Sequence, residues 1–378
     1  MKVLYLFGNG FDLSMGLKTR YTDFYDYYLT RKSTNNYIMD FKEELSKNKK
    51  LENWSDLELI LGKYASHFGD RKLFDIYMPD EAYISLLDDI QDNLAIYIQQ
   101  QDSDFTITDN DRKKIYRDLV FFDSYLSPRD QSLLEDFKKQ VAQSPFMIRA
   151  MIFNYTQSFE KMIGWKGVPI RFRERKTSNG FYEDVIKNVE HIHGTTTEDM
   201  IIGVNDPDQI DNPYLRNSAK TIRAIVKPEM NINAGTMRDE RCKQYIGESD
   251  VICIYGMSLG ATDKYWWNLI VDRLASSNAR LVVFSYSKDI NAIRGYRSRD
   301  QKDALIDKLL SYSNLDDEIK AKIAERIFVC FNSSIFKANI ERHLPNEKDN
   351  EFMINVSKQA SKIAKASEAM EKYYDLTK

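Results

Sequence analysis

The chain has 378 residues, 43% hydrophobic and 12% aromatic, with 54 basic and 57 acidic side chains and a formal net charge of −3. This composition supplies a core for one large domain or two ordinary ones and excludes general disorder. The nearly balanced charge gives no support to a protein that binds duplex nucleic acid or a membrane surface. We therefore expect a folded protein whose partners include neither membranes nor nucleic acid.

Cysteine usage and apolar run lengths indicate the compartment. Cys242, Cys253 and Cys330 are widely separated and never form a Cys-x-x-Cys pair. This fits a reducing cytoplasm and argues against a disulfide framework or a zinc site. The N-terminus lacks a signal-peptide pattern, and no apolar run approaches the length of a membrane span. We predict a cytoplasmic protein without a metal.

The first predicted element is a buried strand, Val3 to Phe7, which runs directly into Gly8-Asn9-Gly10. Two glycines at a strand end indicate either a tight turn or a close approach of another group to the backbone. In a doubly wound sheet this position collects phosphates, because N–H groups and the positive end of the next helix face the anion. The spacing differs from the dinucleotide fingerprint, since Leu13 occupies the place of the third glycine, so a plain turn remains open.

A helical insertion is predicted over residues 13–145. Apolar residues recur there with helical spacing, as in "WSDLELILGKYASHF" and "EAYISLLDDIQDNLAIYIQQQ". Long insertions beside a ligand site often act as lids, and we expect this one to do so. In "WSDLE", Asp56 and Glu58 could reach the ligand, but helix capping by Ser55 followed by acidic first-turn residues explains them as well and is favoured.

Six later segments are short, apolar and bounded by polar residues or glycine, as expected for strands of one buried sheet. They are Met147 to Phe153, "VEHIHG", "DMIIGV", "DVICIYG", "RLVVFSY" and "ERIFVCF". The segment "TDKYWWNLIVDRLASS" has the length and spacing of a crossover helix between parallel strands. Residues 204–228, rich in Asp, Asn and Pro, are predicted to be a long loop.

These elements predict an α/β fold with a doubly wound, mainly parallel sheet and a large helical insertion after the first strand. We expect a single domain over residues 1–378, with a C-terminal helix over 350–378.

Polar residues follow two of these strands directly. In "FNYTQ", Asn154 could hold a sugar hydroxyl, position a water or cap the next helix, and Thr156 follows it. In "HIHG", His191 and His193 are predicted on one face of a strand, with Gly194 turning the chain beneath them. Because the chain has only four histidines, this pair is the expected source of a general base, or else two hydrogen-bonded imidazoles.

A further strand end carries "YGMSLGATD", where Gly256 and Ser258 precede Thr262 and Asp263. Either Thr262 or Asp263 is a suitable helix N-cap, while the small-residue turn also suits the adenosine half of a dinucleotide. Ligands of open α/β sheets bind outside the carboxyl ends of the strands. The four strand-end motifs together predict one ligand crevice.

The motifs also resemble a known family. "LFGNGFDLSMGLKTRYTDF" resembles the N-terminal signature of the AbiH family of bacterial phage abortive-infection proteins, and "WSDLE", "FNYT", "HIHG" and "YGMSLGATDKYW" are similar to its later blocks in the same order. The order of these blocks along the chain is also similar to the order of motifs in the more distant sirtuin-like superfamily. That resemblance implies a Rossmann-like fold that binds NAD, and some members of that superfamily in phage defence hydrolyse NAD to nicotinamide and ADP-ribose.

The resemblance implies roles for individual residues. Asn154 and His193 would be catalytic, Asn154 holding the ribose or the attacking water and His193 acting as the base. Gly8, Asn9 and Gly10 would cradle the phosphates, and Gly256 and Ser258 would line the adenosine side. From the same strand-end motifs we also expect Phe11, Asp12, Thr156, Gly194 and Asp263 to contact the nucleotide. Asp12 stands where sirtuins commonly have a small hydroxyl residue. Thr156 stands where an acidic residue often follows Asn-Tyr in sirtuin-like defence proteins.

By the same resemblance, the protein is expected to act in phage defence by binding NAD or a related nucleotide and hydrolysing its nicotinamide–ribose bond. A phage-derived trigger and self-assembly are candidate partnerships. Two alternatives remain open. One is a non-catalytic sensor or scaffold that binds a nucleotide or ADP-ribose. The other is a metal-dependent nuclease or nucleotide hydrolase that uses Asp12, Asp56 and Glu58.

Overall fold

The computed structural model describes residues 1–51, 56–68, 79–102, 105–141, 144–177, 180–290, 295–338 and 341–342. Contacts divide the chain into two compact units. The first comprises residues 1–102 and 107–339, and the second comprises residues 103–106 and 340–378. The described part of the second unit is an antiparallel pair of two-residue strands. The helix predicted over 350–378 lies outside the described residues.

The first unit is a mixed α/β structure built on a seven-stranded sheet. The strands of both units, in chain order, are β1 Lys2–Phe7, β2 Phe105–Thr106, β3 Met147–Ile152, β4 Ile170–Thr177, β5 Gly180–His191, β6 Val251–Tyr255, β7 Arg280–Ser285, β8 Ile327–Phe331 and β9 Glu341–Arg342. The large sheet has the order β4-β5-β3-β1-β6-β7-β8, and β2 pairs with β9.

All neighbouring strands of the large sheet are parallel except β4, which runs antiparallel to β5 at one edge. The predicted mainly parallel sheet is therefore confirmed. Each residue of β6, and each residue of β1 after Lys2, is buried, because a parallel sheet is covered on both faces. From β1 the chain adds β3 and then β5 on one side, and later β6, β7 and β8 on the other. The direction of winding thus reverses between β1 and β6.

Helices fill the connections. Among the described residues between β1 and β3 these are α1 Gly10–Ser14, α2 Tyr21–Thr30, α3 Asn36–Asn48, α4 Leu57–Tyr64, α5 Pro79–Asp102, α6 Asp109–Val120 and α7 Pro128–Val141. The later helices are α8 Ser158–Ile163, α9 Pro213–Asn217, α10 Ala219–Ile225, α11 Lys227–Ala234, α12 Arg238–Glu248, α13 Lys264–Ser276, α14 Gly295–Leu310 and α15 Asp317–Ala324. Helix α13 joins the parallel strands β6 and β7, which confirms the predicted crossover helix. Among the helices in the described part of the chain, none combines the length and apolar character that crossing a membrane requires.

Helices α2 to α5, all between β1 and β3, share a buried apolar cluster. Helix α2 contributes Phe24 and Tyr28, which lie four residues apart on one face, and α5 contributes Tyr83 and Leu94. The same cluster includes Tyr155, which follows β3. This shared core fixes α4 and α5 against the carboxyl ends of the strands, where the ligand crevice is predicted.

Two predictions about the segment before β6 are wrong. "DMIIGV" is not a strand of the sheet, because within it only Val204 forms a β-bridge, to Val226. Its apolar residues are buried in irregular backbone, which a short apolar run cannot reveal. The loop predicted over 204–228 contains α9 and α10, capped by the side chains of Asn212 and Ser218. Their Asp, Asn and Pro content reflects helix starts rather than an extended loop.

Candidate functional site

The carboxyl ends of β5, β3, β1, β6 and β7 open into a crevice of about 980 Å³. Helices α4, α5 and α14 also contribute to its wall. The structure brings ten of the twelve predicted site residues to this wall: Gly8, Asn9, Gly10, Asp12, Asn154, Thr156, His193, Gly256, Ser258 and Asp263. Phe11 and Gly194 do not line it.

The glycines after β1 allow two strand-end turns to touch through their backbones. The Gly8 N–H donates to the Tyr255 carbonyl at 3.0 Å, and the Gly10 N–H donates to the Gly256 carbonyl at 2.8 Å. A Cβ on Gly10 would lie 2.4 Å from the Gly256 Cα, and Gly256 itself has a φ of +69°. Close backbone approach therefore explains these glycines. Because both amides are used within the fold, a phosphate at this turn would need other donors.

Two neighbours of these glycines stabilise the turn. The Asn9 side chain donates from Nδ2 to the Thr19 carbonyl at 3.0 Å and accepts from the Thr19 hydroxyl. Phe11 is fully buried, with its ring centroid 4.9 Å from that of Phe7. Phe11 is thus a core residue beneath the crevice rather than a contact for a ligand within it.

Asp12 is a buried carboxyl group on the crevice wall, with 1% of its surface exposed. Its Oδ1 accepts from the Ser158 hydroxyl at 2.6 Å and from the Thr156 hydroxyl at 2.9 Å. Burial raises the pKa of Asp12 to about 7, although these two hydroxyls act in the opposite direction. The site therefore contains a carboxyl group that can exchange a proton near neutral pH. Sequence reasoning did not identify Ser158, which gives no signal beyond its position at the start of α8.

Asn154 carries an unsatisfied buried amide on the same wall. Only 6% of the residue is exposed, and neither Oδ1 nor Nδ2 has a hydrogen-bond partner among the described residues. The amide does interact with the Asp12 carboxyl group and lowers its pKa, although the two groups do not meet the geometry of a hydrogen bond. Buried polar atoms without partners are costly and rare, so a ligand or an ordered water in the crevice would explain this amide.

His191 positions the backbone of Asn154. Its Nδ1–H donates to the Asn154 carbonyl at 3.0 Å, and its Nε2–H donates to the Glu160 carboxylate. Burial disfavours the charged ring, but Glu160 and the Asn154 carbonyl together raise the pKa of His191 above its usual value. His191 is therefore an ion-paired residue that supports the site.

The prediction that His191 and His193 share one strand face is wrong. β5 ends at His191, so the two-residue period does not extend to His193. The turn that follows requires Gly194, which has a φ of +68° and whose added Cβ would lie 1.9 Å from the Asp199 carbonyl oxygen. This turn leaves His193 beside Asp263, with the His193 Nε2 3.2 Å from the Asp263 Oδ1.

A chain of buried charged groups extends from His193. Asp263 Oδ1 also accepts from the Lys227 Nζ at 3.0 Å, and the same Nζ lies 2.8 Å from the Glu58 Oε2. Burial opposes ionisation of Asp263, but Lys227 and His193 hold the pKa of Asp263 well below its usual range. Burial, aided by Lys227, lowers the pKa of His193. At neutral pH the imidazole is therefore neutral, with its Nε2 beside the ionised Asp263 carboxylate, and a further hydrogen bond to the Phe153 backbone acts to raise its pKa.

Lys227 is the residue that sequence reasoning missed most completely, because its segment was predicted to be a loop. It is the first residue of α11 and is 5% exposed.

The capping interpretation of "WSDLE" needs correction too. The N-cap of α4 is Asp56, whose Oδ1 accepts from the Leu59 N–H at 3.1 Å, while Ser55 lies outside the described residues. Glu58 pairs with Lys227, and burial raises the pKa of Glu58.

The far side of the crevice lies along β6, β7 and α14. The Lys308 Nζ donates to the Ser258 carbonyl at 2.9 Å. Ser285, at the end of β7, and Tyr286, which is 75% exposed, complete this side.

In the described part of the chain, no group of three or more His, Cys, Asp or Glu residues is arranged to hold a metal ion. The alternative of a metal-dependent nuclease therefore gains no support.

The fold and site together define a mixed α/β protein with a crevice at the carboxyl edge of a mostly parallel sheet, lined by both polar and apolar residues. The family model described as "Bacteriophage abortive infection AbiH" matches residues 4–286. Because the match covers most of the chain, the protein belongs to the AbiH family, whose role is phage abortive infection. All twelve predicted site residues fall within the matched range. No curated protein matches the chain.

Proposed function

We propose that the crevice binds NAD or a related dinucleotide and that the protein hydrolyses the bond between nicotinamide and ribose. The topology supports binding of this kind. The six parallel strands have the order β5-β3-β1-β6-β7-β8, which corresponds to the 3-2-1-4-5-6 order of Rossmann-like dinucleotide-binding sheets. Ligands of such sheets bind where the winding reverses, and here the crevice spans the reversal between β1 and β6.

The observation that carries the proposal is the buried amide of Asn154. An amide offers one acceptor and two donors, which suits the paired hydroxyls of a ribose. In this structure Asn154 lines the crevice, and its two buried amide atoms, which lie near Asp12, make no hydrogen bond of good geometry to the described residues. Asp12 and His193 line the same wall, so two groups able to accept a proton accompany the sugar-binding candidate.

The reaction matches the chemistry of these groups. When the glycosidic bond breaks, nicotinamide takes the bonding electrons and departs neutral, which leaves positive charge on the ribose. Water then adds to the sugar and gives up a proton, so that the products are nicotinamide, ADP-ribose and one proton. No acid is needed for the leaving group, but the water requires a base. His193, neutral and held by Asp263, is the proposed base, and Asn154 fixes the ribose.

A chromatographic time course of nicotinamide and ADP-ribose released from NAD by the purified protein tests this function. We expect release by the wild type and its loss in Asn154→Ala and His193→Ala. Asn268→Ala is the matched control, because Asn268 lies on α13, also has an unpaired Oδ1 and does not line the crevice. Its rate should equal that of the wild type.

The outcomes separate the assignments. Full turnover by His193→Ala would refute His193 as the base but would not contradict the proposed hydrolysis of NAD. Tight binding of ADP-ribose without release of nicotinamide by any protein would favour the non-catalytic sensor. Neither binding nor release would refute the proposed function.

A further inference from the structure

We infer that the two ends of the crevice differ in charge, with carboxyl groups near β3 and β5 and Lys308 near β7. An oxidised dinucleotide then binds in one direction. Its cationic nicotinamide ring lies over β3 and β5, and its phosphates and adenine lie beside Lys308. This inference rests on the proposed function. It adds the orientation of the ligand, its redox state and the roles of two residues, Glu58 in selecting the oxidised ring and Lys308 in binding the phosphates.

The strand order places the two ends of the crevice. From β5 to β7 there are four interstrand spacings, or roughly 19 Å at 4.8 Å each. Asn154 follows β3 and His193 follows β5, whereas Ser285 ends β7. Lys308 is tied to the Ser258 carbonyl after β6 and so belongs to the β7 side. The contact between the Gly10 and Gly256 turns lies between the two ends.

Carboxyl groups dominate the end near β3 and β5. Asp12 accepts a hydrogen bond from Thr156, which follows β3, and Asp263 contacts His193, which follows β5. Asp56 and Glu58 line the crevice from α4. Lys227 is the ammonium group that pairs with two of these carboxyl groups. Four ionised carboxylates and one ammonium give a net charge of −3. With Asp12 and Glu58 protonated the net charge is still −1, so this end favours a cation and repels phosphate.

The opposite end suits the remainder of a dinucleotide. Among the crevice-lining residues described, Lys308 is the one lysine or arginine. Its ammonium uses one of three donors on the Ser258 carbonyl, which leaves two for a phosphate. The exposed ring of Tyr286, which lines the crevice as Leu305 does, provides a flat surface on which adenine can stack.

This division has a consequence for ligand choice. The oxidised and reduced nicotinamide rings have similar shapes but differ by one positive charge. A unit charge near the carboxylates, at an effective dielectric constant of about 20, should strengthen binding of the oxidised form by at least about tenfold. Neutral nicotinamide loses that attraction once the bond breaks, which favours its departure.

The test is calorimetric titration of the full chain with three probes: oxidised carba-NAD, reduced carba-NAD and ADP-ribose. In carba-NAD a methylene replaces the ring oxygen of the nicotinamide ribose, so the ligand is not hydrolysed. We expect the oxidised form to bind at least about tenfold more tightly than the reduced form. Glu58→Gln should reduce this ratio. Asp56→Asn, which retains a good helix cap, provides the same test if the Glu58 variant does not fold.

The second arm examines Lys308. Lys308→Ala should weaken all three ligands several-fold while leaving the ratio of oxidised to reduced affinity unchanged. Lys243→Ala is the matched control, because Lys243 is also exposed but lies on α12 outside the crevice. Equal affinity for the two carba-NAD forms, or unchanged ADP-ribose affinity in Lys308→Ala, would overturn the inference and leave the proposed function intact. Failure of all three ligands to bind would overturn both.

Discussion

Replacing Lys227 by Met tests the buried charge chain directly. The Lys227 ammonium lies 2.8 Å from Glu58 and 3.0 Å from Asp263, and all three side chains are largely buried. Methionine retains most of the apolar stem but removes the charge and its hydrogen bonds. The substitution therefore leaves two buried carboxyl groups without their shared cation.

The magnitude follows from the burial. Removing one partner of a buried ion pair costs about 3–5 kcal/mol. With an unfolding entropy of about 2.1 cal/mol/K per residue, a chain of 378 residues should lose about 4–6 °C in Tm. Without Lys227 the pKa values of both carboxyl groups rise, so they take up protons as the pH falls. The destabilisation should be largest at pH 8 and smallest at pH 5.

Thermal unfolding followed by circular dichroism at pH 5, 6.5 and 8 measures this effect. Lys220→Met is the matched control, since Lys220 makes an exposed ion pair with Glu81 on the surface. Its change in the free energy of unfolding should stay within about 0.5 kcal/mol at every pH. An Lys227→Met variant that behaves like this control, or whose Tm loss does not change with pH, would refute the reasoning.

Two further substitutions test the crevice wall. Because the pKa of Asp12 is raised, the folded wild type binds this proton more tightly than the unfolded chain. The free energy of unfolding should therefore fall by up to about 1.4 kcal/mol per pH unit as the pH rises from about 4 to 7. Asp12→Asn should remove this loss in urea unfolding, and a constant difference from wild type across that range would contradict the prediction. Gly10→Ala should cost about 1–3 kcal/mol by clashing with Gly256, whereas Gly247→Ala, in open space, should not destabilise. Equal effects in the two glycine variants would rule out the backbone contact as the cause.

The sheet was predictable because its strands are short apolar runs with clear boundaries. β1, β3, β6, β7 and β8 appear where the sequence places them, and α13 connects parallel strands as expected. The strand-end motifs converge because the carboxyl ends of parallel strands share one edge. Local pattern and sheet geometry together therefore placed ten of the twelve predicted site residues on the crevice wall.

The remainder depends on contacts that local patterns do not encode. Lys227 and Glu58 are separated by 169 positions, and a lysine before a proline gives no sign of burial. The separate roles of His191 and His193 depend on where β5 ends, which a two-residue period does not specify. The close approach of Gly10 to Gly256 likewise joins turns that lie far apart in sequence. Each of these features arises only when the tertiary structure brings distant residues together.

The Glu58–Lys227 pair also constrains how the crevice can open. Glu58 belongs to α4, in the segment between β1 and β3, whereas Lys227 begins α11 and also holds Asp263. Lifting α4 away must separate this pair and withdraw Leu57, Ile60 and Leu61 from the apolar cluster, so open molecules are a small minority at equilibrium. Ligand exchange by this route would then be limited by a rare fluctuation, and amide hydrogens of α4 would exchange with solvent at a rate set by the same event.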